Sequence, residues 1–371
     1  MGLPLKERSR RYRLVRDQMC QEGLAGLIIF SNAQINHQGL VRYFSNLPIP
    51  IYDHALVFLP DDQPFLFTPS PLQTFWAKKR SWIPKSRIKL SREFGKEMAQ
   101  LVMKRVKRKK TWGVINLNTM AAKDYIAFKS LCPNVNLIDG TGLLENIRSQ
   151  KSEQELKFVQ QSAELAQISH RTIRREMKRG IREEELVSEV EKVLRGNGAE
   201  RTFYLISSNP NNIFPYSPGP NALDGKSPIL FSTEVSGPEG YWTQMVRTFF
   251  WRKPKGILMD MYKALKEIRE EAEKELRPGR RISDVAKNLK KLIEERNFNF
   301  GVHFGHGLGL DVVEEPLISI TNDRLLMPNQ VVTIHPHLVL EKKSLGIWIG
   351  DTYLIRENET KNLTPFLPDD F

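Results

Sequence analysis

Apolar residues recur at two different periods along the first part of the chain. Residues 5–22 are polar and basic, with Tyr12, Val15 and Met19 at helical spacing. This predicts an amphipathic helix closed by Gly23. A short apolar run at 25–30 reads as a buried strand, and 55–59, 65–68, 112–116 and 136–138 are further strand candidates. Helical texture at 72–79, 93–106 and 121–131 alternates with them, which predicts an α/β layer.

The pattern changes near Ile147 to Ser152. A long charge-laced helix is expected over 153–178, with apolar residues at Leu156, Val159, Ala163, Leu165 and Ile168, and a second over 183–194. Pro and Asn are dense from Asn209 to Pro220. Strands are expected at 228–235 and 241–251, helices at 257–276 and 282–296, and strands at 331–340 and 346–356. No repeat of solenoid period occurs. The expected class is α/β (α+β), with domains at 1–147 and 148–371; a chain of 371 residues accommodates two.

Charge supports that division. The formal net charge is +13, and all of it falls in residues 1–150, which hold 24 Lys+Arg and 11 Asp+Glu; the remainder holds 32 of each. The run Lys104-Arg-Val-Lys-Arg-Lys-Lys110 resembles a nucleic-acid patch, but no aromatic residue is interleaved for base stacking. A helix end with cations suited to the dipole is favoured, and nucleic acid is not the expected partner. With 40% hydrophobic and 27% charged residues, wholesale disorder is excluded. Two cysteines, Cys20 and Cys132, fit a reducing compartment rather than a disulfide scaffold. The basic start (Lys6, Arg8, Arg10, Arg11, Arg13) is followed by no apolar stretch of signal or membrane length. A cytoplasmic protein without membrane contact is expected.

Candidate chemistry concentrates late in the chain. Four of the seven histidines, His303, His306, His335 and His337, fall within 35 positions. Histidine is the commonest metal ligand and proton shuttle near neutral pH. His306 sits in Gly305-His-Gly-Leu-Gly309, where small neighbours leave the imidazole accessible. His335 and His337 flank Pro336 on an expected strand, which would turn both to one face.

With these residues in view the sequence resembles a known family nearly end to end. Val41-Arg-Tyr-Phe44, Ile147-Arg148, Lys151-Ser152, Glu155-Leu156, Gly240-Tyr241, Arg247-Thr248-Phe249, Gly305-His-Gly-Leu-Gly-Leu-Asp311, Glu314-Glu-Pro316, Thr333-Ile334, Gly346-Ile347 and Asp351-Thr352 occur in order. Together they resemble the pita-bread fold of prolidase, aminopeptidase P, methionine aminopeptidase and creatinase, preceded by the N-terminal domain of prolidase and creatinase. The resemblance implies a homodimer and an Asp, Asp, His, Glu, Glu set holding two divalent metals. Anchored on Gly240-Tyr241 and Arg247-Thr248, those positions fall on Thr233, Gln244, His306, His335 and Gly350. Only the histidine is kept. Two dications about 3.5 Å apart repel by roughly 19 kcal/mol at an effective dielectric of 20, and this set has no anion to offset that. The expected cofactor is therefore none, the dinuclear metal being absent; a single soft metal on His306, His335 and Gln244 is a secondary reading. Glu234 and Asp351 lie one residue from two ligand positions, but a one-residue shift turns a strand side chain to the opposite face, and the flanking motifs reject it.

Three functions follow. One is a pseudoenzyme, a non-catalytic homologue binding a small-molecule or peptide-like ligand. A second is a metal-independent, creatinase-like hydrolase of a small C–N substrate. In it His306, His335 and His337 would move protons, Tyr216 and Gln244 would hydrogen-bond substrate, and Arg247 would clamp a carboxylate. The third is an Xaa-Pro peptidase with an atypical mononuclear site. All three place Thr233, Gln244, His306, His335 and Gly350 in one pocket, with Asp351 beside it.

Overall fold

The computed structural model describes residues 3–48, 51–104, 110–208, 213–301 and 303–366. Most of the basic run after Lys104 and the start of the Pro/Asn-rich segment (209–212) lie outside the described residues. Two units are present, Met1–Arg148 and Ser149–Phe371.

The first unit is built on a six-stranded sheet: β1 (Leu27–Ser31), β2 (His54–Phe58), β3 (Phe65–Thr68), β4 (Ile88–Leu90), β5 (Lys110–Ile115) and β6 (Val135–Asp139). Their spatial order is β4-β3-β2-β1-β5-β6. The β1–β5, β5–β6 and β3–β4 pairs are parallel, and the β1–β2 and β2–β3 pairs antiparallel. β1 is buried along its whole length, which is why it reads as a continuous apolar run rather than an alternation. Helices α1 (Leu5–Gln21), α2 (Gly39–Ser45), α3 (Pro71–Arg80), α4 (Phe94–Met103), α5 (Ala122–Leu131) and α6 (Thr141–Ser149) complete it. Met98, Val102 and Phe128 pack with Phe30, Trp112 and Val114 in one core. Tyr12 of α1 meets Phe58 edge-on at 5.1 Å. The short helix α2 is buried throughout, so it has no polar stripe for a periodicity argument to detect.

The second unit opens with α7 (Glu153–Glu176), started by a reciprocal capping box between Ser152 and Glu155. The Lys151-Ser152 and Glu314-Glu-Pro316 motifs meet here. Lys151 Nζ is 3.1 Å from Glu314 Oε2, and both side chains are buried. α8 (Glu183–Gly196) follows, then the antiparallel strands β7 (Arg201–Ser207), β8 (Ile229–Ser236) and β9 (Trp242–Phe249) in that order. Ser162 of α7 donates to the carbonyl of Tyr241 at 2.6 Å, which ties the helix to the β8–β9 hairpin. Helices α9 (Ile257–Glu275) and α10 (Ile282–Glu294) share a core with the later strands.

Those strands form two small sheets. β11 (Gly305–Gly307), β12 (Val331–Ile334), β15 (Asp351–Ile355) and β16 (Thr360–Asn362) make one; β10 (Asn299–Phe300), β13 (His337–Leu340) and β14 (Leu345–Trp348) make the other. The expected single strands over 331–340 and 346–356 are therefore each two strands. The chain changes sheets at His335-Pro336 and again at Ile349-Gly350. Pro336 has no N–H to continue a ladder.

Candidate functional site

The β8–β9 hairpin decides which side chains can share a site. Its pairing runs unbroken from Ile229↔Phe249 to Ser236↔Trp242, setting Glu234 opposite Gln244 and Thr233 opposite Met245. Residues an odd number apart on such a hairpin face opposite ways. Thr233 accordingly points to α7, where its hydroxyl is 2.7 Å from that of Ser169. Gln244 Nε2 donates instead to Glu234 Oε1 at 3.1 Å and Ser232 Oγ at 3.2 Å. The expectation that Thr233 joins Gln244 in one pocket is corrected. Glu234, which the sequence alignment set aside, is the residue on Gln244's face. Burial pushes its carboxyl up to about 8, so it holds its proton at neutral pH.

The histidines come from the strand ends. His306 lies on β11 opposite Thr333 of β12, His335 follows β12, and His303 precedes β11. Ring centroids are 5.5 Å apart for His306–His335, 4.9 Å for His303–His335 and 5.7 Å for His303–His306. His306 and His335 are buried and His303 is exposed. The Nδ1 of His306 is 3.0 Å from the carbonyl of Gly307. A carbonyl only accepts, so Nδ1 carries the hydrogen and Nε2 presents its lone pair. Burial lowers His306 to about 4 and holds His335 well below its ordinary range. Neither ring nitrogen of His335 has a hydrogen-bond partner among the described residues, a deficit that costs about 1–3 kcal/mol in a buried group.

Gly350 makes room for the Cα and Cβ of His335. A Cβ there would lie 2.4 Å from His335 Cβ and 3.0 Å from Val246 Cγ2. Trp348 fixes the turn by donating its indole N–H to the carbonyl of His335 at 2.9 Å. His337 does not join the cluster. It sits on β13, past the sheet change, where its ring meets Phe214 at 5.7 Å and Trp348 at 5.9 Å. His335 and His337 both pack against the Trp348 indole, at 5.8 and 5.9 Å, but only His335 joins His303 and His306.

Three further assignments change. The Arg247 guanidinium donates to the carbonyls of Val246, Gly350 and Thr364 and to Asp351 Oδ1, all at 2.7–2.8 Å. It is a buried strand tie rather than a substrate clamp. Asp351 also accepts from Arg269 at 2.7 Å, so its carboxylate is neutralised by two arginines and faces them rather than a pocket. Thr233 and Arg247 line a void of about 10 Å³ beneath α7 with His170 and Phe249, too small for a substrate. Tyr216 is bridged to Ile206 through its backbone, and its side chain is 74% exposed. A wider groove of about 640 Å³ is lined by Glu270, Glu273, Arg277, Glu357 and Glu359 and includes none of the site residues. Alignment to the motifs leaves out His303, although the histidine clustering flags it, and sets aside Glu234, which hairpin parity puts on Gln244's face.

This donor set does not fit two divalent ions. Thr233 faces away, Gln244 is uncharged, Gly350 has no side chain, and burial disfavours the ionised form of Glu234. The fold and the His306 motif still define the pita-bread class. Residues 157–357 match metallopeptidase family M24, and residues 11–150 match the creatinase/prolidase N-terminal domain. The chain belongs to family M24. It is 24% identical over 344 residues to an Xaa-Pro dipeptidase of Pyrococcus furiosus, covering 89% of this chain and 95% of that one. It is 24% identical over 251 residues to an uncharacterized peptidase of Bacillus subtilis, YqhT, covering 67% of this chain and 71% of that one. The crystal structure of the prolidase from Pyrococcus horikoshii matches with a TM-score of 0.84 at 21% identity, over 98% of this chain and 100% of that one. No helix among the described residues is long and apolar enough to cross a membrane.

Proposed function

We propose that this chain is a pseudoenzyme of family M24: a pita-bread protein that binds a ligand in a pocket of neutral imidazoles and does not work as a dinuclear metallopeptidase. The observation that carries this reading is the set of side chains at the ligand positions: Thr233 faces α7, Gln244 is uncharged, Gly350 has no side chain, burial disfavours the ionised form of Glu234, and Asp351 is paired with Arg247 and Arg269. The repulsion of roughly 19 kcal/mol between two adjacent dications then has nothing to offset it. The metal-free hydrolase is the weaker alternative. An imidazole near 4, as for His306, is protonated in about one molecule in a thousand at pH 7, far from the match a general acid–base needs. Arg247, the expected carboxylate clamp, is also engaged by strand carbonyls and Asp351. The protein is taken as a cytoplasmic homodimer.

The test is hydrolysis of Xaa-Pro dipeptides by untagged full-length protein loaded with Mn²⁺ or Co²⁺, together with elemental analysis. The expected result is no turnover above buffer and fewer than two ions per chain. Turnover accompanied by two tightly held ions overturns the reading.

A further inference from the structure

We propose that His303, His306 and His335 form a site for one late first-row dication of the zinc class. The proposal rests on the reading above that the family's two-ion centre is absent, and it names the pocket's ligand.

One donor atom from each of the three residues lies within 4.8 Å of the others. Three imidazoles on a tetrahedral zinc, with Zn–N of 2.0–2.1 Å, place their nitrogens about 3.4 Å apart. Closing the difference takes side-chain rotation. His303, exposed ahead of β11, has the freedom for it.

The surroundings of each ring suit ligation. His306 gives its Nδ1 hydrogen to the carbonyl of Gly307 at 3.0 Å, the outer-shell bond that fixes the tautomer and orientation of a metal-binding imidazole. Its Nε2 is then the donor. His335 is 1% exposed, and both its nitrogens lack a partner among the described residues. His337 shares this lack of partners, but only His335 has a donor atom within reach of His303 and His306. Its position is prepared from two sides: Trp348 holds its carbonyl at 2.9 Å, and Gly350 leaves the space its Cβ occupies. Positions 348 and 350 thus place the backbone and Cβ of His335, position 307 orients His306, and the two rings are left with nitrogens free among the described residues.

The ligand chemistry also selects the ion. Imidazole donors favour Zn²⁺, Ni²⁺, Co²⁺ and Cu²⁺, whereas Mg²⁺, Ca²⁺ and Mn²⁺ prefer carboxylate and carbonyl oxygens. Three protein ligands leave a fourth tetrahedral position to water or an anionic donor.

The experiment is titration of chelator-stripped, untagged full-length protein with ZnCl₂ against a chromophoric chelator, and with CoCl₂ followed by visible absorption. The expected result is one Zn²⁺ per chain and an intense tetrahedral Co²⁺ spectrum. His303→Ala and His306→Ala should each weaken binding about a hundredfold or more, while His337→Gln leaves the stoichiometry at one. The His303 variant alters an exposed side chain, so it is informative even if a buried variant fails to fold. No bound ion overturns this site and leaves the absence of a dinuclear centre standing. Two ions per chain overturn both. One ion whose affinity is unchanged in His303→Ala and His306→Ala overturns the site alone.

Discussion

Replacing Glu234 by glutamine should make the protein more stable at high pH and flatten its stability profile. The carboxyl titrates near 4.5 when unfolded and near 8 in the fold, where burial is the dominant cause. Between those values the folded chain keeps a proton that the unfolded chain has released. Stability therefore falls as pH rises, by about 1.4 kcal/mol per pH unit. The loss begins near 4.5, is complete near 8, and sums to at most about 5 kcal/mol. Glutamine has the same shape, carries no proton to lose, and can still accept from Gln244 Nε2, which now donates to Glu234 at 3.1 Å. The assay is urea unfolding of wild type and Glu234→Gln at half-unit intervals from pH 5.5 to 8.0. Only the difference between the two proteins is read, so contributions from buried histidines cancel. That difference should grow in the variant's favour by about 2–3 kcal/mol across the range. Parallel profiles, or a variant less stable at pH 8, would mean that Glu234 is ionised in the fold. The charge argument against a two-ion centre would then fail with it.

Asp351→Asn leaves Arg247 and Arg269 buried without their shared counter-ion. It should cost about 3–5 kcal/mol, read as a fall in urea midpoint. Thr233→Val removes the 2.7 Å hydroxyl contact with Ser169 and should cost about 1–3 kcal/mol. It should leave zinc affinity unchanged, because Thr233 faces α7; a change in affinity would contradict the hairpin register. Gly350→Ala drives a methyl to 2.4 Å from His335 Cβ. A destabilisation of about 1–3 kcal/mol is expected, with displacement of one histidine's signals in long-range imidazole NMR spectra.

Most elements were legible because their apolar periods are strong. The capped helix α7 and the fully apolar β1 are examples. The buried helix α2 escaped because every side is covered, and β7 because its residues are mostly half-buried and its signal is diluted. The site failed for a different reason. Motif spacing places residues along the chain, but the facing of a strand residue depends on whether the hairpin carries a bulge. Here the pairing is unbroken, so an alignment correct in its anchors still chose Thr233 over Glu234. The same limit applied at 331–340. Alternation holds only within one strand, and the chain leaves its sheet between His335 and His337.

The contact between positions 335 and 350 has a consequence for redesign. These are the two positions at which the family resemblance places glutamates, yet a Cβ at 350 would lie 2.4 Å from the Cβ and 3.0 Å from the Cα of His335. Every residue except glycine carries that Cβ, so exchanging the side chain at 335 does not open position 350. Restoring carboxylates at both positions therefore requires the two backbone segments to move apart, which two point substitutions do not supply.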